Sequence, residues 1–332
     1  KNILHTVKNE DELSSATGFS PEKLRALLAT AHAKLAAAQK KRPRPHLDDK
    51  CVTVWNGMMI QAMAKGYQVL GDRTLLDLAL ASLNFVRSNL YDTEKKTLLR
   101  TYRQGPSDIE AFAEDYAAMI AALLEIYDAD FNFAHLQWAL ELQETMDHLF
   151  WDKEQGGYFC DSGNEKLHLL LRTKDDHDGS EPSYNSVAAN SLLRLYSLFH
   201  REEFRKRAED LFTAFSLRLS QQPRAVPMMS VAGAAFDSPA KSVIIYGPRD
   251  SPDTHALIRA VHELYDPFRV ILHGAFRSEA SKFFSDQGLV FFKDLDTDLT
   301  VEGKPAAYIC QDFACQLPIT DPEELRRVLQ KK

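Results

Sequence analysis

Glu114-Asp115-Tyr116-Ala117-Ala118-Met119-Ile120-Ala121-Ala122-Leu123-Leu124 is the stretch that decides the fold class. Two carboxylates and a tyrosine precede eight consecutive apolar residues, and a helix this free of charge is buried on most sides. The segment that follows, residues 131–150, carries charge along one face, as a helix half turned to water does. Together they form a helical hairpin with a buried first member and an amphipathic second. The same pairing occurs before and after it. Residues 55–70, with the apolar Met58-Met59-Ile60, pair with 72–90 across Gly71 and the capping Asp72, and residues 185–199 pair with 202–219.

The first helices begin near Trp55, Asp115 and Asn185, offsets of 60 and 70 residues, which makes the pairs an internal repeat. The connections repeat as well. Leu90-Tyr91-Asp92 before Leu98-Leu99-Arg100 parallels Phe150-Trp151-Asp152 before Gly157-Tyr158-Phe159 and Leu169-Leu170-Leu171-Arg172. Each reads as a turn and a short hairpin. Buried first helices and amphipathic second ones predict an inner and an outer ring, a mainly α fold forming part of an (α/α)6 toroid over residues 1–236. An earlier helix is announced by Ser20-Pro21, and a short one by residues 228–235. A closed ring of six hairpins needs more helices than these, so further toroid helices are expected upstream. Over residues 237–332 the pattern changes. Strands at 242–246, 268–272 and 306–310, with a helix after Ser251-Pro252, predict a small α/β module. A terminal helix opens at Asp321-Pro322-Glu323-Glu324 and ends on Lys331 and Lys332, which suit its negative dipole end.

The chain has 332 residues, 45% hydrophobic and 26% charged, with 40 basic against 47 acidic side chains. Signs alternate along it, so no basic stripe exists to hold a phosphate backbone, and no nucleic-acid partner is expected. No apolar run is long enough for a membrane span, so no membrane partner is expected either. Residue 1 is Lys and no signal peptide follows, so any targeting segment is expected upstream. Four scattered cysteines favour a reducing compartment such as the cytoplasm. Cys310 and Cys315 lack a second ligand pair for zinc and are expected to be a reduced structural pair, with no metal and no cofactor.

Polar residues gather just before the three inner helices. Parallel inner helices would bring them to one mouth. Asp49, Glu114 and Asp115 are the candidate catalytic carboxylates, one to be protonated and one ionised. Trp55, Asn56, Tyr116, Asp178, Ser183 and Asn185 are the candidate substrate-binding residues, the aromatics to stack on sugar rings and the amides to bind hydroxyls. Tyr184 offers a further aromatic face. A carbohydrate is therefore the expected ligand, bound or processed by a hydrolase or an epimerase. For the epimerase, only His46 and His177 stand nearby as a base. Capping is the competing role for any single carboxylate or Ser at a helix start, as core packing is for Trp55 and Tyr116.

Arg44-Pro45-His46-Leu47-Asp48-Asp49-Lys50 with Trp55-Asn56-Gly57, then Glu114-Asp115-Tyr116, Gly156-Gly157-Tyr158-Phe159, Asp178-Gly179-Ser180-Glu181-Pro182-Ser183-Tyr184-Asn185-Ser186, and Ala307-Tyr308-Ile309-Cys310 with Cys315-Gln316-Leu317-Pro318 resemble, in this order, the spermatogenesis-associated protein 20 family. Ser180 and Tyr184 depart from the Ala and Gly expected there. The resemblance implies a C-terminal part of a protein with an upstream thioredoxin-like domain and a six-hairpin glycosidase-like toroid, related in shape to N-acylglucosamine 2-epimerases. It leaves an alternative open: a non-catalytic scaffold or redox-linked regulatory protein that works with that thioredoxin-like domain.

Overall fold

The computed structural model describes residues 5–163, 170–238, 241–311 and 314–330; Leu169, Lys331 and Lys332 lie outside the described residues. By contacts the chain divides into two units, Lys1–Asp49 and Lys50–Lys332. In the first, α1 (Glu10–Thr17), which the sequence pattern did not announce, is closed by a reciprocal cap: Asn9 Oδ1 accepts the Glu12 N–H and Glu12 Oε2 accepts the Asn9 N–H. α2 (Pro21–Gln39) starts where Ser20-Pro21 predicts, with the Lys23 N–H on Ser20 Oγ, and stops short of Pro43 and Pro45.

The second unit opens with β1 (Cys51–Val52) and α3 (Thr53–Leu70). Gly71, at φ 72°, takes the left-handed backbone that ends α3, and α4 (Arg73–Asn89) returns beside it, capped by Asp72. α4 buries Leu76, Ala79, Leu83 and Val86, one face at helical spacing, as an outer helix should. A short hairpin of β2 (Tyr91–Asp92) and β3 (Thr97–Leu98) follows, and β4 (Thr101–Tyr102) pairs back with β1.

α5 (Ala113–Asp130) is the buried helix that the apolar run predicts, with every residue from Asp115 to Ala129 buried. Fully burying one Leu or Ile is worth roughly 1.5–3 kcal/mol and a cap about 1 kcal/mol, so the apolar run, not its ends, holds α5 in place. α6 (Phe133–Phe150) completes that hairpin. α7 (Tyr184–Phe199) and α8 (Glu202–Ala214) form the third; the helix expected over 202–219 breaks at Phe215 and resumes as α9 (Ser216–Gln221). α10 (Pro227–Phe236) packs on α7.

The inner helices are parallel neighbours: α3 packs along α5, and α5 along α7. At their starts the Val54 N–H donates to Asp115, and towards their ends the Gln68 amide donates to the Glu125 carbonyl. Parallel inner helices, each followed by an outer helix, make the unit mainly α, with the architecture of part of an (α/α)6 toroid. A Cβ on Gly57 would lie 2.9 Å from the Ala118 carbonyl carbon, so glycine permits the close approach of α3 to α5. The two expected connections also match. Asp92 Oδ1 accepts the Glu94 and Lys95 N–H groups, and Asp152 Oδ1 accepts those of Glu154 and Gln155.

The α/β part is a four-stranded sheet of order β6-β5-β7-β8. β5 (Lys241–Tyr246), α11 (Pro252–His262) and β6 (Arg269–Gly274) make a parallel crossover unit, with Lys241 opposite Arg269 and Tyr246 opposite Gly274. Ser251 sits at the N-cap of α11 but makes no side-chain capping bond. α12 (Glu279–Asp286) was not foreseen. β7 (Ala306–Gln311) runs antiparallel to β5, β8 (Ala314–Cys315) edges the sheet, and α13 (Pro322–Gln330) packs on α11. The hydrophobic core runs without a break from Ile60 on α3 to Leu325 on α13, and β6 lies against both α5 and α7. The turn to α/β architecture near residue 237 therefore occurs inside one contact unit.

One expectation is corrected here. Cys310 and Cys315 are joined by a disulfide, with Cα atoms 4.0 Å apart, because β7 and β8 place them directly opposite each other. The number and scatter of the cysteines point to a reduced pair, and sequence spacing carries no information on the strand register that overrides it.

His273 on β6 is buried. Its Nε2–H donates to the Gly247 carbonyl at 3.1 Å and its ring lies against Phe131, so burial pushes its pKa down to about 4. In the unfolded chain the ring protonates near 6.5, so its contribution to stability is present above that pH and is lost as pH falls towards 4. The stability difference between the parent and His273→Gln should therefore shrink as pH falls from 6.5 to 4, by about 1.4 kcal/mol per pH unit in urea unfolding. Gly57→Val should cost about 1–3 kcal/mol in the same measurement, because the new side chain meets backbone rather than a flexible side-chain end.

Candidate functional site

The starts of α3 and α5 are held together by the carboxylate of Asp115. Its Oδ1 accepts the Val54 N–H at 2.9 Å; its Oδ2 accepts the Phe112 N–H at 2.9 Å and pairs with Arg100 at 2.8 Å. The side chain is fully buried. Burial pushes its pKa up to about 6 while the Arg100 guanidinium pulls the other way. Three donors occupy the two oxygens of Asp115, which leaves it positioning backbone rather than facing a cavity.

Three further candidates are engaged in the same manner. Asn185 is fully buried, its Oδ1 accepting the Tyr158 N–H and its amide donating to the Tyr158 and Asp175 carbonyls. Ser183 caps α7 and donates to the Asp175 carbonyl. Asp178 accepts the Ser183 and Met228 N–H groups, tying the loop before α7 to the start of α10. Tyr116 is a core residue against Phe150, its hydroxyl accepting the Leu98 N–H, and burial pushes its pKa up to about 12. Asn56 is partly buried and donates to the Val52 carbonyl. Asp49 is exposed, outside helix or strand, at the end of the first unit.

Glu114 and Trp55 are placed otherwise. Glu114 pairs with Arg100 at 2.5 Å and keeps about a third of its side-chain surface in solvent. Trp55 is 50% exposed, and its indole N–H donates to Glu181 Oε1 at 2.9 Å, which fixes the ring plane beside the loop that enters α7. Glu114 and Glu181, the partner of Trp55, line a cavity of about 100 Å³ with Val54, Met58 and Gln61 of α3, Ala118 of α5, and Tyr184, Asn190 and Arg194 of α7. The structure thus brings Glu114 to one cavity and adds Glu181, Gln61 and Arg194, which the sequence reading had not assigned.

Arg194 leads deeper along the inner helices. It pairs with Glu125 at 3.1 Å and Asp128 at 2.8 Å, and Lys65 meets Glu125 at 2.8 Å. Burial would raise the Glu125 carboxyl, but Arg194 and Lys65 outweigh it and hold it below its ordinary value, whereas burial pushes Asp128 up to about 6. The sequence did carry a signal for this network. Glu125 and Asp128 interrupt an apolar helix at a three-residue spacing, and a buried charge demands a partner. Among the described residues no group of three or more His, Cys, Asp or Glu is placed to hold a metal ion, and no helix is long and apolar enough to cross a membrane.

No family model matches the chain. Along its whole length it is similar to spermatogenesis-associated protein 20: it is 40% identical to the human protein over 99% of this chain and 39% identical to the rat protein over 100%. It spans 42% of the length of each of these relatives. Among solved structures, cellobiose 2-epimerase from Bacillus thermoamylovorans B4167 is 14% identical over 82% of this chain and 68% of that one, with a TM-score of 0.46. A sugar epimerase from a ruminal bacterium is 20% identical over 49% and 42%, with a TM-score of 0.41. A family 105 glycoside hydrolase of C. acetobutylicum ATCC 824 is 14% identical over 64% and 61%, also at 0.41. The hairpin arrangement itself rests on the contacts within this chain.

Asp115→Asn keeps the shape but leaves one acceptor oxygen for three donors. It should lower stability by about 3 kcal/mol in denaturant unfolding, the usual range for breaking a buried, hydrogen-bonded ion pair.

Proposed function

We propose, for a chain that resembles spermatogenesis-associated protein 20 from end to end, that the starts of α3, α5 and α7 form a carbohydrate-binding site with carboxylates placed for acid–base work. The observation that carries this reading is the cavity between Glu114, Glu181 and Arg194 beside a half-exposed, hydrogen-bonded Trp55. A fixed indole face suits the apolar face of a sugar ring, and carboxylates, an amide and a guanidinium suit its hydroxyls. Asp115, Ser183, Asp178 and Asn185 hold the helix starts from behind, and Tyr116 packs the core beneath them. Glu114 and Glu181 are the pair we assign to proton transfer in a hydrolase or epimerase reaction. The whole site in the longer protein is completed, in this reading, by toroid helices and a thioredoxin-like domain upstream.

The test is a calorimetric and thermal-shift panel of mono- and oligosaccharides on the full-length protein, with Glu114→Gln, Glu181→Gln and Trp55→Ala. A bound sugar should raise the melting temperature of the parent. Each variant should weaken binding about tenfold or more, equivalent to about 1.4 kcal/mol, with its own unliganded melting point little changed. No sugar-dependent shift, or binding indifferent to all three changes, overturns the assignment.

A further inference from the structure

β8 is the edge strand of the sheet, and its Cys315 is exposed, whereas Cys310 on β7 is buried at 5% exposure. The Gln316 N–H donates to the Ile309 carbonyl at 2.9 Å, so the adjacent Cys310–Cys315 pair occupies a non-hydrogen-bonded position of the ladder, where opposed side chains come closest. Both cysteines line a mostly apolar cavity of about 390 Å³ together with Ile244, Leu272, Leu289 and Phe291.

The bond closes a short loop. It links residues only five apart in sequence, so it removes less freedom from the unfolded chain than a bond across a long loop would. β7 is anchored without it by register with β5 from Lys241 opposite Gln311 to Tyr246 opposite Ala306. A disulfide between an exposed and a buried residue, on a strand anchored without it, has the arrangement of an exchangeable one rather than a staple.

We propose that Cys310–Cys315 is a reversible two-electron redox site that exchanges with an external dithiol. A thiolate of the dithiol attacks Sγ of Cys315, the exposed residue of the pair. The Cys310–Cys315 bond breaks, a mixed disulfide forms on Cys315, and the electron pair leaves on Cys310 as its thiolate. The second thiol of the dithiol then displaces Cys315. The dithiol is oxidised to its disulfide, and its two protons end on Cys310 and Cys315.

Differential alkylation with peptide mapping tests this on the oxidised full-length protein treated with dithiothreitol and, separately, with glutathione buffers. Cys310 and Cys315 should be reduced together under native conditions, with the melting temperature of the reduced protein within a few degrees of the oxidised one. With oxidised glutathione, Cys310→Ser should accumulate an adduct on Cys315, and Cys315→Ser should leave Cys310 unmodified. Reduction that requires denaturant, a collapse of the melting temperature on reduction, or an adduct that forms on Cys310 in preference to Cys315 overturns the proposal; the first two need no variant to fold.

Discussion

The carboxylate of Asp115 sets the frame at the starts of α3 and α5. A fully buried carboxylate is costly unless it is paired and hydrogen-bonded, and here one side chain accepts from the first turn of α3, from the residue before α5 and from Arg100 on the connecting hairpin. Three segments distant in sequence are thereby registered against each other to within a hydrogen bond. Arg100 extends that frame outward by pairing with Glu114 and lying over the Phe112 ring, so the one candidate carboxylate that reaches the cavity does so from a rigid base.

A second charge network, with Glu125 and Asp128 buried between Arg194 and the half-exposed Lys65, lies further along the same helices. Parallel helices cannot slide past one another without breaking one of the two networks, since each carries fixed partners at a fixed height. The apolar run of α5 supplies the adhesion and the charges supply the register. Hydrophobic contact alone is non-directional and would not distinguish neighbouring alignments of Ala-rich faces such as Gly57 against Ala118.

Much of this was legible from residue order alone. The run from Ala117 to Leu124 announced a buried helix, the offsets between Trp55, Asp115 and Asn185 announced the repeat, and Asp72 and Ser20 marked helix starts that the structure retains. What could not be read was which polar atoms face a cavity and which face backbone. Asn185 and Glu181 sit four residues apart in one loop-to-helix segment, yet the first is spent on Tyr158 and Asp175 and the second holds an exposed indole. That division depends on where a distant hairpin presents its N–H and C=O groups, which no local pattern encodes. The disulfide was hidden for the same reason: strand register, rather than spacing, makes Cys310 and Cys315 opposite.

The paired turns at Asp92 and Asp152 have an evolutionary consequence. Each turn is closed by its own aspartate, without help from the neighbouring repeat, and each returns the chain to the next inner helix. Material can therefore be inserted between such a turn and the following helix while the hydrophobic seam between repeats keeps its alignment, as the ten-residue difference between the two repeat offsets illustrates. Loops that reach the helix starts are free to diversify in length and chemistry over a scaffold that duplication alone could have supplied.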